Sequence, residues 1–375
     1  MDHKSMRIFC FRGVDFMASI ENARKKINEI DEKMAKLFVE RMEASEEVFE
    51  YKKENGLPIT DEKREAIVIK NNSERVENEL YRNYYIDFIK DVMEISKKYQ
   101  SYMQNGVKVA YSGIKGAFAH IAAEQIFPDA CLKSYPDFIS AYKSVEKGEC
   151  DLAVLPIENS YAGEVSTVID LMYGGSLFIT GVYSLEVNQN LVGLKGADKN
   201  RIKTVISHTQ ALQQCAEYIK ENNLEIVEET NTAIAAKKVS DMNNPEIGAI
   251  SSSFAAEIYG LEVLDKNINK SNVNTTRFAV LSRIKTGEKN DTSVLMFSVS
   301  HEAGSLAKAI NIIGKYGYNM TALRSRPVKD TPWQYYFYAE LDGDTNSDLG
   351  KIMLKELQEF CDTIKVAGTY TLKKL

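Results

Sequence analysis

The sequence predicts three folds in succession: an all-α segment, a mostly parallel α/β segment, and a small α+β segment. Three observations predict them. From Ser19 to about Lys53, apolar residues recur at three- and four-residue steps with no Pro or Gly, as one long amphipathic helix requires. From Val107 to about Leu281, short apolar runs alternate with helical patterns, the layout of strands joined by crossover helices. From Ser293 onward the order strand, helix, strand, strand, helix, strand is legible, which is the ferredoxin-like βαββαβ arrangement.

Composition bounds the function. The 375 residues exceed one ordinary core, so two or three domains are expected. With 44% hydrophobic and 27% charged residues the chain is globular, and a net charge of −6 argues against nucleic acid or an anionic membrane as partner. Any anion site must then be a local cluster. Cys10, Cys131, Cys150, Cys215 and Cys361 are odd in number and scattered, and read as reduced thiols of a cytoplasmic protein. His3, His120, His208 and His301 never pair at ligand spacing, so neither a metal nor another cofactor is expected. Arg7, Arg12 and Asp15 interrupt the apolar patch at Ile8 to Phe11, which excludes a signal peptide, and no apolar run spans a membrane. Met17 is an alternative start, which makes the residues before it an unstructured extension.

In the first helix, Ile20, Ala23, Ile27, Ile30, Met34, Leu37, Phe38, Val48 and Tyr51 form a stripe expected to be buried. Arg41 and Lys52 lie on or beside it, about three turns apart. Such cations either snorkel past the core or clamp a dianion. The helix ends before Asn55-Gly56-Leu57-Pro58, Asp61 can cap a second helix, and a third runs from about Glu77 to Met103 with Ser96 and Gln100 one turn apart. Three helices with so long a first member hardly close a core, so pairing with a second copy is expected.

Arg24, Arg41, Lys52, Asp61, Arg64, Glu65, Ser96 and Gln100 fall at the spacing of the all-helical chorismate mutases, which residues 17–103 resemble. The resemblance implies an intertwined dimer in which Arg24 reaches the partner's site. It gives Arg41, Lys52 and Arg64 the substrate's carboxylates and ether oxygen, with Glu65 and Gln100 bonded at the breaking ether and Asp61 and Ser96 completing the site. A Claisen rearrangement of chorismate needs no nucleophile, only a folded conformer and a donor for charge growing on oxygen.

Gln100 to Gly106 reads as a linker. Beyond it come the strand Val107–Tyr111, the turn Ser112-Gly113-Ile114-Lys115-Gly116 and a helix from Ala117 to Phe127. The glycine pair matches neither the dinucleotide fingerprint nor the phosphate-loop pattern. The stretch Leu155-Pro156-Ile157-Glu158-Asn159-Ser160-Tyr161-Ala162-Gly163 follows a buried strand and precedes a helix from Val165 to Met172. It delivers polar side chains and N–H donors to a strand's carboxyl end, where open α/β sheets bind small anions. Ser207-His208-Thr209-Gln210, with Gln214 and Cys215, and Asn274-Thr275-Thr276-Arg277-Phe278 follow. Adjacent Ser and His make no catalytic dyad and no G-x-S-x-G occurs, so a hydrolase is rejected.

These four motifs in order, over residues 106–283, resemble prephenate dehydratase. The resemblance implies two α/β lobes, similar to periplasmic binding proteins, closing on prephenate. It implies Thr276 as proton donor and Arg277 as carboxylate partner or loop-ordering residue. Glu158, Asn159, Ser160, Gly163, Ser207, Gln210 and Asn274 are implied as the substrate-binding lining. The glycine turn carries Ala117 and Ala119 where the family has hydroxyl residues.

Arg283 to Asp291 is a second linker, and residues 292–375 resemble an ACT domain, an amino-acid-sensing module. Gly304-Ser305-Leu306 and Ser325-Arg326-Pro327 match its effector loops, which implies L-phenylalanine as effector across a dimer. Arg324 stands where the family has an acidic residue, and a cation there repels an ammonium. The expectation is a cytoplasmic, homo-oligomeric (dimeric or tetrameric) bifunctional chorismate mutase/prephenate dehydratase. An arogenate-preferring dehydratase and a non-catalytic amino-acid sensor are the alternatives.

Overall fold

The computed structural model describes residues 15–269, 274–285, 287–329, 331 and 333–375. The chain forms two units, one ending at Asn105 and one running from Gly106 to Leu375. The expected extension before Met17 falls mostly on residues 1–14, outside the described residues, while Asp15 and Phe16 already belong to the first helix.

The first unit is three helices: α1 (Asp15–Glu54), α2 (Glu62–Ser73) and α3 (Glu79–Asn105). The Asp61 carboxylate caps α2 by accepting from the Arg64 N–H at 3.0 Å. Residues 100–105 hold no Gly or Pro, so α3 runs through the expected linker and stops at Gly106. The expected burial of the α1 stripe does not occur within one chain. Among the described residues of the unit, the buried side chains are Phe49, Ile89, Val92, Met93, Ser96 and Gln100, whereas every side chain from Ile20 to Glu40 is exposed, Leu37 by 62%. Among the described residues, the α1 side chains that are at least partly buried run from Arg41 to Lys52.

The second unit opens with β1 (Lys108–Ser112), α4 (Phe118–Ile126), β2 (Cys131–Tyr135), α5 (Phe138–Glu146), β3 (Leu152–Asn159), β4 (Gly163–Glu164), α6 (Ser166–Gly174) and β5 (Phe178–Glu186). The chain then crosses to a second lobe of β6 (Asn190–Gly193), β7 (Thr204–Ser207), α7 (Thr209–Gln214), α8 (Ala216–Glu221), β8 (Glu225–Glu228), α9 (Thr232–Met242), β9 (Ile247–Ser251), α10 (Ser253–Ile258) and β10 (Glu262–Asp265). It returns as β11 (Thr275–Ser282), which inserts antiparallel between β3 and β5. Two crossings thus join two sheets, the second of order β10-β6-β9-β7-β8. This is the two-lobed α/β plan of periplasmic binding proteins.

The last segment is β12 (Thr292–Ser298), α11 (Ser305–Lys315), β13 (Asn319–Pro327), β14 (Tyr335–Asp342), α12 (Asp348–Phe360), β15 (Thr363–Tyr370) and β16 (Leu372–Lys374), the expected βαββαβ order with a short strand added. Its sheet is continuous with that of the first lobe: the order is β13-β14-β12-β15-β5-β11-β3-β1-β2, with β16 also on β5. One core joins them, with Leu155, Ile157, Tyr142 and Met172 packed together with Met296, Tyr336, Tyr338 and Tyr370. The other face of the terminal sheet packs Phe297 and Leu341 under α11 and α12, through Ile313 and Leu357. At the seam, Gly368 pairs with Ile179, and a Cβ there would lie 2.2 Å from the Ile179 carbonyl oxygen. Only glycine allows that approach.

Candidate active sites

In the helical unit, polar groups gather where α1 meets α3. Arg41 Nη1 donates to Ser96 Oγ at 2.5 Å, and Ser96 Oγ donates to the Val92 carbonyl at 2.9 Å. One turn along each helix, Gln100 Nε2 donates to both the carbonyl and Oγ of Ser45 at 2.9 Å. Partial burial pulls the Arg41 pKa down from the usual arginine range. Lys52 donates to the Ile59 carbonyl. Glu65 pairs at 3.3 Å with Lys97, whose pKa is raised chiefly by its bond to Glu94 and also by Glu65. Lys97 and Ser45 were missed from sequence; both flank predicted residues, one beside Ser96 and one a turn after Arg41. Arg24 and Arg64 stand exposed, and Asp61 serves as a helix cap.

In the second unit a cavity of about 820 Å³ lies between the lobes. β1, β3 and β11 bring Ser112, Asn159 and Thr276 to its wall from one lobe, α7 and α9 bring His208, Gln210, Gln214 and Asn231 from the other, and Gln189 lines the crossing. Asn159 Oδ1 accepts the N–H groups of Tyr161 and Ala162 at 3.0 and 2.9 Å, which fixes the direction of the amide. Its Nδ2 therefore faces Thr276 Oγ1 and Asn274 Oδ1, both at 2.9 Å. Since Thr276 Oγ1 accepts from Asn159, its own hydrogen is left for the cavity. Asn274 Nδ2 in turn donates to Gln214 Oε1 at 3.0 Å, and Gln189 Nε2 approaches the same oxygen at 3.4 Å. Gln210 Nε2 reaches Asn159 Oδ1 at 3.4 Å. Gln189 joins this amide chain without a signal in the sequence, whereas Gln214, noted there beside Gln210, was not counted in the lining although it lies one turn further along.

Several predicted residues stand elsewhere. Ser207 is fully buried and donates to the Ile250 carbonyl at 2.6 Å. Ser160 latches the loop to β11, its Oγ accepting the Thr275 N–H at 3.0 Å. Gly163, with φ +81°, makes the turn into β4. Arg277 and Glu158 lie on the sheet face away from the cavity, because strand side chains alternate and Thr276 takes the cavity side. Arg277 Nη1 contacts Glu158 at 3.0 Å and Glu340 at 3.1 and 3.2 Å, and its Nη2 donates to the Tyr370 hydroxyl. These acidic neighbours raise its pKa despite burial. It is therefore no carboxylate partner inside the cavity. Among the effector residues, Gly304 caps α11, Ser305 Oγ lies 3.0 Å from Ser300 Oγ, Leu306 packs on the terminal core, and Ser325 and Pro327 are exposed. Arg326 turns to Asp170 at 2.8 Å and to Glu164.

Among the described residues no Lys or Arg lines the cavity. Two helix starts face it: Ala117, Phe118 and Ala119 open α4, and Asn231, whose side chain accepts the Ala233 N–H, and Thr232 open α9. Ala117 makes no side-chain cap bond, so the first N–H groups of α4 stay available to an anion. Asp137 at the rim is held ionised, its pKa lowered chiefly by the Ser140 N–H. His208 Nδ1 accepts the Gln210 N–H at 3.2 Å. Burial pushes the Cys215 thiol up to about 12, so it offers no nucleophile. Among the described residues no His, Cys, Asp or Glu cluster could hold a metal, and no helix is long and apolar enough to cross a membrane.

A helical clamp and a two-lobed α/β cleft, each furnished with donors for a small anion, define a two-site enzyme. The chain belongs to the family of bifunctional chorismate mutase/prephenate dehydratases. The family profile described as chorismate mutase type II matches residues 23–101, and that described as prephenate dehydratase matches residues 109–286. The bifunctional chorismate mutase/prephenate dehydratase of Buchnera aphidicola subsp. Acyrthosiphon pisum is 32% identical, over 94% of this chain and 96% of the relative. Among solved structures, prephenate dehydratase from Arthrobacter aurescens in complex with L-Phe is 25% identical, with a TM-score of 0.66 over 71% of this chain and 90% of its own. GqqA, described as a novel type of quorum quenching acylase, is 30% identical, with a TM-score of 0.65 over 70% of this chain and 97% of its own.

Proposed function

We propose that the chain converts chorismate to phenylpyruvate in two steps at two sites, within three domains at 17–103, 106–283 and 292–375. In the helical unit chorismate is folded into its reactive conformer and rearranged to prephenate. Arg41 and Lys52 hold carboxylates and Gln100 and Glu65 serve the ether oxygen, with Arg64 at the opening and Arg24 supplied by a second copy. The exposed half of α1 supports that second copy: Ile27, Ile30 and Leu37 are 54 to 62% exposed, and an amphipathic helix is stable only when its apolar stripe is covered.

In the cleft, prephenate loses its ring carboxylate as carbon dioxide while the C4–O bond breaks. The electron pair of the departing carboxylate completes the aromatic ring, and the leaving hydroxide takes a proton to become water. Thr276 donates that proton. The bond it accepts from Asn159 polarises its O–H, and this is the observation that carries the reading. Substrate carboxylates sit at the helix N-termini, which suit anions without a cation. The free thiols of Cys131, Cys150, Cys215 and Cys361 support a reducing, cytoplasmic setting. The L-Phe complex of the Arthrobacter aurescens relative supports L-phenylalanine as effector at the ACT-like terminal segment. For an acylase, Ser207 offers no nucleophile, being buried on a backbone carbonyl.

The test is phenylpyruvate formation from chorismate by the purified chain, with and without phenylalanine. Product is expected, with turnover changed by phenylalanine. A folded chain that consumes neither chorismate nor prephenate would overturn the assignment.

A further inference from the structure

The end of β3 pairs with the start of β11, Asn159 opposite Thr276 and Glu158 opposite Arg277. A bulge follows at Arg277 and Phe278. Alternation sends the first pair into the cleft and the second to the far face, so the cleft amide and the half-buried carboxylate are rigid neighbours on one strand. On the far face Glu158 holds two cations. Arg277 approaches one oxygen at 3.0 Å, and Arg324 of β13 donates to the other through Nη2. Arg324 also lies 3.9 Å by its Nε from Glu164 Oε2, and its guanidinium carbon sits 5.6 Å from the centre of the Tyr338 ring. Arg277 is held independently, by Glu340 and the Tyr370 hydroxyl. The orientation of Glu158 therefore depends on Arg324 more than Arg277 depends on Glu158.

We propose that Arg324, supplied by the terminal segment, is a positioning residue for the dehydration: it fixes Glu158 and, through the adjoining backbone, the Asn159 amide that aims the Thr276 hydroxyl. The proposal rests on the dehydratase reading of the cleft. With one N–H on Glu158 and its Nε towards Glu164, the planar guanidinium bridges two carboxylates and restrains direction as well as distance. Without it Glu158 keeps only Arg277 and the strand end gains freedom. Small displacements of a proton donor cost rate rather than affinity, because they act on the near-attack geometry. The terminal segment thereby completes the dehydratase site, and whatever displaces β13 changes turnover.

The test is a double-mutant cycle in the full chain with Arg324→Gln, Glu158→Gln and both together, following prephenate and chorismate consumption on the same preparations. Arg324→Gln is expected to lower dehydratase kcat about tenfold with KM changed less than about twofold, and mutase turnover intact. In the Glu158→Gln background it should have no further effect. Wild-type kcat in Arg324→Gln, or an equal fall in both backgrounds, would overturn the proposal alone. A wild-type chain inert towards prephenate would overturn the cleft reading and the proposal with it. Should Arg324→Gln lose cooperative melting, Arg324→Lys, which keeps the charge without the fork, takes its place in the cycle. A fall that Glu158→Gln abolishes then supports the proposal, and no fall, or a persistent one, overturns it.

Discussion

Asn159 donates to Thr276 Oγ1 at 2.9 Å while two backbone N–H groups pin its own carbonyl oxygen. The amide cannot turn round, so the threonine hydroxyl is an acceptor towards Asn159 and a donor towards the cleft.

Thr276→Ala should therefore lower dehydratase kcat by about 100-fold or more, the usual worth of a positioned proton donor, and leave mutase turnover unchanged. Arg41→Ala should do the reverse, since Arg41 and Ser96 belong to the other unit. Steady-state kinetics on each substrate decide it. Equal loss of both activities in either variant would contradict two separate sites.

Gln214→Leu removes the acceptor shared by Asn274 and Gln189 and leaves two donors unpaired in a buried place. A destabilisation of about 1–3 kcal/mol is expected from denaturant melts, together with a fall in dehydratase kcat of about tenfold. Unchanged kcat at saturating prephenate would show that the amide chain does not support the threonine.

Leu37→Asp places a charge on the exposed stripe of α1. Sedimentation should show a smaller assembly than wild type, with mutase turnover lost because Arg24 no longer reaches a partner's site. If the variant keeps the wild-type mass and mutase rate, the stripe is not the contact between copies.

Gly368→Ala drives a methyl into Ile179 at the one residue where β15 and β5 pair. Overpacking of this kind costs about 1–3 kcal/mol, and a backbone clash lies at the upper end. A lower Tm of the second unit is expected, read by the loss of dehydratase activity on heating. An unshifted Tm would mean that the strands separate without penalty.

Much of this architecture was legible in the sequence because it is local. A helix of forty residues follows from stepwise apolar spacing without breakers, and the strand-helix alternation gave the α/β class of the middle segment but not its antiparallel pairs, such as β11 with β3 and β5. Asn159, Gln210 and Thr276 line the cleft. The misses are matters of direction and of long range. Thr276 and Arg277 are neighbours in sequence and so face opposite sides of a strand, a period-two rule that would have sent Arg277 out of the cleft. Ser207 is likewise turned into the lobe, while His208 faces the cavity. The ion pairs of Arg324 and Arg326 with Glu158, Glu164 and Asp170 span more than 150 residues, beyond any local pattern.

The strand β5 has β11 on one side and β15 and β16 on the other. A chain cut after Ser282 would expose the second side along its length and uncover the apolar faces of Ile179 and Val182 beside it. Such an edge recruits other chains by strand addition. The terminal segment is thus no detachable accessory: trimming it away converts an interior seam into an adhesive margin, and the truncated enzyme would be lost to aggregation before its regulation could be compared with the parent's.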